Sequence, residues 1–174
     1  MPAPGPIEIR QAAVDEVFAL PDLEVAAGQR FADHGMPEIA TDSPASVEVL
    51  ASFAAVAGCW VAVLDGRPVG YLLAGPVDDA THIEQVSVHP DQAGHRLAAR
   101  LIDAAEAADD RSSTTLTTFR YVPWNAPYYR RLGFVEIPDG ALFPGLAALR
   151  RHEADLGLDA WPRLAMRRYR AGHR

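Results

Sequence analysis

Residues Val86 to Ile102 read as a strand, a glycine-containing turn and the first turns of a helix. That order of elements makes an anion site. The first N–H groups of a helix have no intrahelical acceptor and the dipole there is positive, so a phosphate or pyrophosphate binds without a dedicated lysine. The chain has none to offer, since all 16 basic residues are Arg, and this also rules out Schiff-base chemistry on a lysine. The single cysteine, Cys59, stands beside Trp60 in an apolar run. A disulfide framework and a Cys-based zinc site are thereby excluded, no metal is expected, and the thiol reads as a structural one. Neither a Gly-x-Ser-x-Gly elbow nor a Gly-x-Gly-x-x-Gly turn is present, which disfavours a serine hydrolase and a dinucleotide enzyme.

The elements that must position this turn are legible from periodicity. Ile7 to Arg10 alternate as a short strand, and the Ala-rich segment to about Gly58 has helical spacing interrupted at Pro21, at Gly35 to Pro37 and at Ser43-Pro44, which fits two or three short helices. Asp42 or Ser43 is expected to cap a helix with Pro44 in its first turn and Val47, Leu50, Phe53 and Ala54 on its buried stripe. Trp60 to Leu64 and Val69 to Leu73 form a hairpin around Asp65 to Pro68; Thr81 to Val88 follows antiparallel after a turn at Gly75 to Asp79. From Ala93 or Gly94 to about Asp109 the spacing is helical, and Thr114 to Phe119 is a β-rich run. A helix between two strands implies a parallel pairing through a right-handed crossover, so the sheet is mixed. A short helix over Ala126 to Leu132, a strand over Phe134 to Ile137, a helix over Pro144 to Leu156 and a last strand over Arg163 to Tyr169 complete the pattern, with Leu164, Met166 and Arg168 on one strand face.

A chain of 174 residues with 49% hydrophobic composition suits one domain over residues 1–174, with a flexible terminus over 1–6. No run approaches the roughly 20 apolar residues of a membrane span. The first residues lack the basic and apolar regions of a signal peptide, so a cytoplasmic protein without a membrane partner is expected. The net charge of -7 argues against nucleic acid as a partner, yet residues 1–91 hold 14 Asp/Glu against 3 Arg and residues 92–174 hold 9 against 13. An anionic ligand therefore finds its complement in the second half and a cationic one in the first.

Two motifs and the order of elements resemble the GNAT superfamily of acyl-CoA-dependent N-acyltransferases. One is Val88-His89-Pro90 followed by Gly94-His95-Arg96-Leu97-Ala98; the other is Asn125-Ala126-Pro127-Tyr128-Tyr129 running on to Leu132-Gly133-Phe134. Together they span about Thr81 to Ile137. The resemblance implies an α/β (α+β) GNAT fold, a mixed and mostly antiparallel sheet of six or seven strands flanked by helices. It implies an N-acetyltransferase that moves an acetyl group from acetyl-CoA, as co-substrate, directly to a primary amine. A catalytically weak or inactive GNAT-like module that binds acyl-CoA or a protein is the alternative. The family loop reads Gln or Arg, two residues, Gly, one residue, then Gly or Ala. Aligned through the helix, Ala93 takes the first place, Arg96 the central Gly and Ala98 the last. Arg96 is a departure, because a Cβ restricts φ and crowds the backbone. Asn125 also stands nearer to Tyr129 than the family commonly places it.

By the same resemblance, the N–H groups from Ala93 and Gly94 through His95, Arg96 and Leu97 to Ala98 hold the pyrophosphate, the backbone of Val86 and Val88 binds the acyl and pantetheine groups, and Asn125 is a pantetheine ligand. Tyr129 is then the general acid that protonates the departing sulfur, as a phenol can at neutral pH. Holding an amine of pKa near ~10.4 deprotonated at pH 7 costs roughly 4 to 5 kcal/mol, against about 2 for a thiolate of pKa near ~8.5, so a base matters more than an acid. Glu84 is the first candidate, sharing strand parity with His82, Val86 and Val88. His82, His89 and a water chain remain alternatives. The acceptor is a small-molecule or peptide amine, with Asp33, His34, Glu38 and Asp42 as candidate contacts. A homodimer through the C-terminal strand and Trp161 is also possible.

Overall fold

The computed structural model describes residues 5–171. Residues 1–4 of the expected flexible terminus lie outside them. Seven strands, β1 (Glu8–Gln11), β2 (Cys59–Leu64), β3 (Arg67–Val77), β4 (Ala80–Val88), β5 (Ser113–Phe119), β6 (Val135–Ile137) and β7 (Arg163–Tyr169), are hydrogen-bonded in the order β1-β2-β3-β4-β5-β7-β6. The sheet is mixed: β4 and β5 are parallel, while β1 with β2, β2 with β3, β5 with β7 and β6 with β7 are antiparallel. The helices are α1 (Leu20–Gly28), α2 (Pro37–Ala40), α3 (Val47–Ala55), α4 (Leu97–Ala107), α5 (Ala126–Arg131) and α6 (Pro144–Asp155). No helix among the described residues is long and apolar enough to cross a membrane.

The described residues form two compact units, the first over residues 5–74 and 85–108 and the second over residues 75–84 and 109–171. In the first, the two-residue period of β2 puts Cys59, Val61 and Val63 in one buried cluster with Leu20 and Leu23 of α1 and Leu50 of α3. Burying a side chain of this kind is worth about 1.5 to 3 kcal/mol, which is why such short helices persist. Val47, Phe53 and Ala54 pack on the cluster as their spacing predicts. The cap does not follow the prediction. Ser46, not Ser43 or Asp42, precedes the helix and accepts from the N–H of Val49 at 3.3 Å, leaving Pro44 outside. A tertiary bond accounts for the shift, since the Ala45 N–H donates to Glu24 at 3.1 Å, and Glu24 also accepts from the buried Tyr71 hydroxyl.

In the second unit the β4–β5 ladder runs from Thr81↔Thr114 to Ile83↔Leu116, and β5 then pairs along its whole length with β7. The expected turn over Gly75 to Asp79 is shorter in the structure, because strand structure continues through Val77 and only Asp78 and Asp79 turn the chain. Asp78, at φ 52°, reaches the start of α6, where its carboxylate accepts from the N–H groups of Gly145 and Leu146 at 2.8 and 2.9 Å. Phe143 stands at the cap position of that helix and has no oxygen on its side chain, so a residue distant in sequence does the capping.

Candidate active site

In the first unit, β4 ends at Val88, and the His89 N–H donates to the Val69 carbonyl at 2.9 Å. His89 then stabilises a single 3-10 turn over Pro90–Gln92, its Nδ1 accepting from the Asp91 N–H at 3.3 Å, so this imidazole serves the turn. Ala93 is extended, Gly94 takes φ 87° and Arg96 takes φ 55°, after which α4 begins at Leu97. The expected helix start at Ala93 or Gly94 is therefore three or four residues early, because two left-handed residues intervene. Gly94 adopts such a φ freely, whereas for Arg96 it costs on the order of 1 kcal/mol. Ala93, Gly94, His95 and Arg96 are exposed, and no side chain caps α4 among the described residues. Its first-turn N–H groups, on Leu97, Ala98 and Ala99, thus meet the requirements of an anion site. Val86 and Val88 lie in the same unit, each partly buried.

Glu84, Asn125 and Tyr129 belong to the second unit. Glu84 is accessible to solvent while protein atoms crowd its carboxyl; that desolvation, with the negative charge of Glu153, raises its pKa above the ordinary carboxylate value. Glu153 itself stays charged. Burial opposes its ionisation, but the Arg163 guanidinium and hydrogen bonds from Thr117, Arg150 and Arg163 outweigh that and hold its pKa down. His82 shares the parity of Glu84 but not its setting: it is 2% exposed, its Nδ1 lies 3.0 Å from the Thr115 hydroxyl, and burial pushes its pKa down to about 4. A neutral imidazole shut away from solvent is a poor candidate for proton transfer. Burial likewise pushes the Cys59 thiol up to about 12, so it carries no thiolate at neutral pH.

Asn125 immediately precedes α5, and its backbone carbonyl accepts from the Tyr129 N–H at 3.0 Å, joining the two residues through one helical turn. Tyr129 is buried, edge-on to Tyr128 at 5.6 Å and to Phe134 at 5.8 Å between ring centres. The Asn125 Oδ1 accepts from the Thr118 hydroxyl at 2.7 Å, while its Nδ2 is buried with no hydrogen-bond partner among the described residues. Sequence reasoning missed Thr118 and Glu153. Neither lies in a motif, and both reach their partners across loops that periodicity does not trace. Asp33, His34, Glu38 and Asp42 are exposed on and beside α2.

Residues 55–136 match the model of the acetyltransferase (GNAT) domain, a span that contains both sequence motifs. The chain also superposes on solved acetyltransferases. The PaiA N-acetyltransferase of Thermoplasma acidophilum, solved with coenzyme A, is 12% identical with a TM-score of 0.65, covering 95% of this chain and 100% of that one. A GNAT-family acetyltransferase from Staphylococcus aureus Mu50 is 14% identical with a TM-score of 0.68, covering 94% and 99%. A GNAT-family acetyltransferase from Brucella melitensis, solved with acetyl-CoA, is 20% identical with a TM-score of 0.53, covering 74% and 82%. Residues 55–136 are therefore an acetyltransferase domain of the GNAT family, carried on the fold that those enzymes share.

Proposed function

We propose that the protein transfers an acetyl group from acetyl-CoA directly to the primary amine of a small molecule or peptide. The observation that carries this reading is the uncapped start of α4 behind an exposed, left-handed turn at Gly94 and Arg96, which leaves backbone donors for a pyrophosphate. The coenzyme A and acetyl-CoA complexes of proteins with this fold support it. In the proposed reaction the amine nitrogen attacks the thioester carbonyl carbon, the C–N bond forms and the C–S bond breaks. Glu84, with its raised pKa, accepts the amine proton, and Tyr129 donates one to the departing sulfur. The backbone of Val86 and Val88 offers strand-like hydrogen bonds to the pantetheine arm, and Asn125 offers its Nδ2. The test is release of free CoA thiol from acetyl-CoA across a panel of polyamines, amino acids, aminoglycosides and peptides, alongside calorimetry with acetyl-CoA. Turnover with one amine class is expected. Tight binding without turnover on any amine would leave a binding module, and no binding at millimolar acetyl-CoA would overturn the reading.

A further inference from the structure

The Asn125 side chain is arranged in an unusual way for a residue in front of a helix. An Asn there ordinarily turns its oxygen onto the N–H groups of the first turn. Here the second helical residue is Pro127, which has no N–H, and the Asn125 side chain makes no capping bond at all. Its oxygen is taken by the hydroxyl of Thr118, 4% exposed on β5, at 2.7 Å. That bond fixes which end of the amide is engaged, and the other end is an Nδ2 group buried without an acceptor among the described residues. Leaving such a donor unpaired costs about 1 to 3 kcal/mol, and a ligand carbonyl recovers it.

We propose that Thr118 is a positioning residue: by donating its hydroxyl hydrogen to the Asn125 oxygen, it locks the amide so that Nδ2 donates to an amide carbonyl of the pantetheine arm. This rests on the acyl-CoA reading above. Thr118 itself touches no ligand and acts through Asn125. Without its hydroxyl the Asn125 amide is free to turn, and an oxygen facing a carbonyl repels it.

Calorimetry with CoA and with adenosine 3′,5′-bisphosphate, which lacks the pantetheine arm, separates this role from a general loss of structure. Thr118→Val is expected to weaken CoA binding roughly five- to tenfold, as loss of one hydrogen bond implies. It is expected to leave the bisphosphate unaffected, and Thr118→Ser restores wild-type CoA affinity. In an Asn125→Ala background, Thr118→Val has no further effect. Should Thr118→Val not fold, Thr118→Ala repeats the comparison. Equal weakening of both ligands, additive effects of the two substitutions, or wild-type CoA affinity in Thr118→Val would each overturn the proposal while the acyl-CoA reading stands. Absence of CoA binding by the wild-type protein would overturn both.

Discussion

Two residues carry sharp expectations on their own chemistry. Removing the Tyr129 hydroxyl with Tyr129→Phe keeps the ring contacts to Tyr128 and Phe134, so the fold and CoA affinity are retained. Loss of general-acid catalysis is expected to lower kcat by roughly 100-fold or more, and an unchanged kcat would assign the protonation elsewhere. Arg96 is the second. Its φ of 55° is a conformation that glycine enters freely. Arg96→Gly is therefore expected to stabilise the protein, the relief of strain of about 1 kcal/mol being partly offset by the greater freedom of glycine in the unfolded chain. A melting temperature that falls would show that the arginine side chain contributes contacts outweighing its backbone strain.

At the scale of elements, the ends of helices are set less by their own residues than by what reaches them. α6 begins at Phe143-Pro144, which contain no side-chain acceptor, and its first N–H groups are satisfied by Asp78 from the turn between β3 and β4. Asp78→Ala is expected to destabilise the protein by about 1 to 2 kcal/mol, and chemical denaturation measures it. Asp78→Asn, which keeps an oxygen, is expected to lose less. Equal losses in the two variants would make charge the relevant property, and no loss would show that water replaces the cap. α3 makes the same point, since Glu24 holds Ala45 in place and moves the helix start to Ser46 and Val47, whereas Asp42, Ser43 and Pro44 carry the stronger local signal.

At the scale of the whole molecule, buried titratable groups tie stability to pH. His82 has its pKa depressed by burial from 6.5 to about 4, so the folded state prefers it neutral. Its contribution is fully present above about pH 6.5 and is lost as pH falls towards 4, because the unfolded chain binds the proton first. The loss amounts to roughly 3 kcal/mol at full protonation. His82→Asn is expected to flatten that part of the stability profile in denaturation measured from pH 7 to 4, and an unchanged acid limb would assign it to other groups. How far this molecule can be read from its chain follows from the range of the forces involved. The seven strands, the helix between β4 and β5 and the turn at Gly94 are legible because periodicity and glycine placement act over a few residues. His82 and Glu84 share a strand parity and look alike as bases, yet one is sealed beside Thr115 and the other is open to solvent near Glu153. Burial and electrostatic surroundings separate them, and Thr115 and Glu153 each lie more than 30 positions along the chain from the residue they act on. The left-handed Arg96, the Asp78 cap and the Thr118–Asn125 bond are likewise invisible to local pattern, because each is a balance between a local preference and a partner that only the folded chain brings within reach.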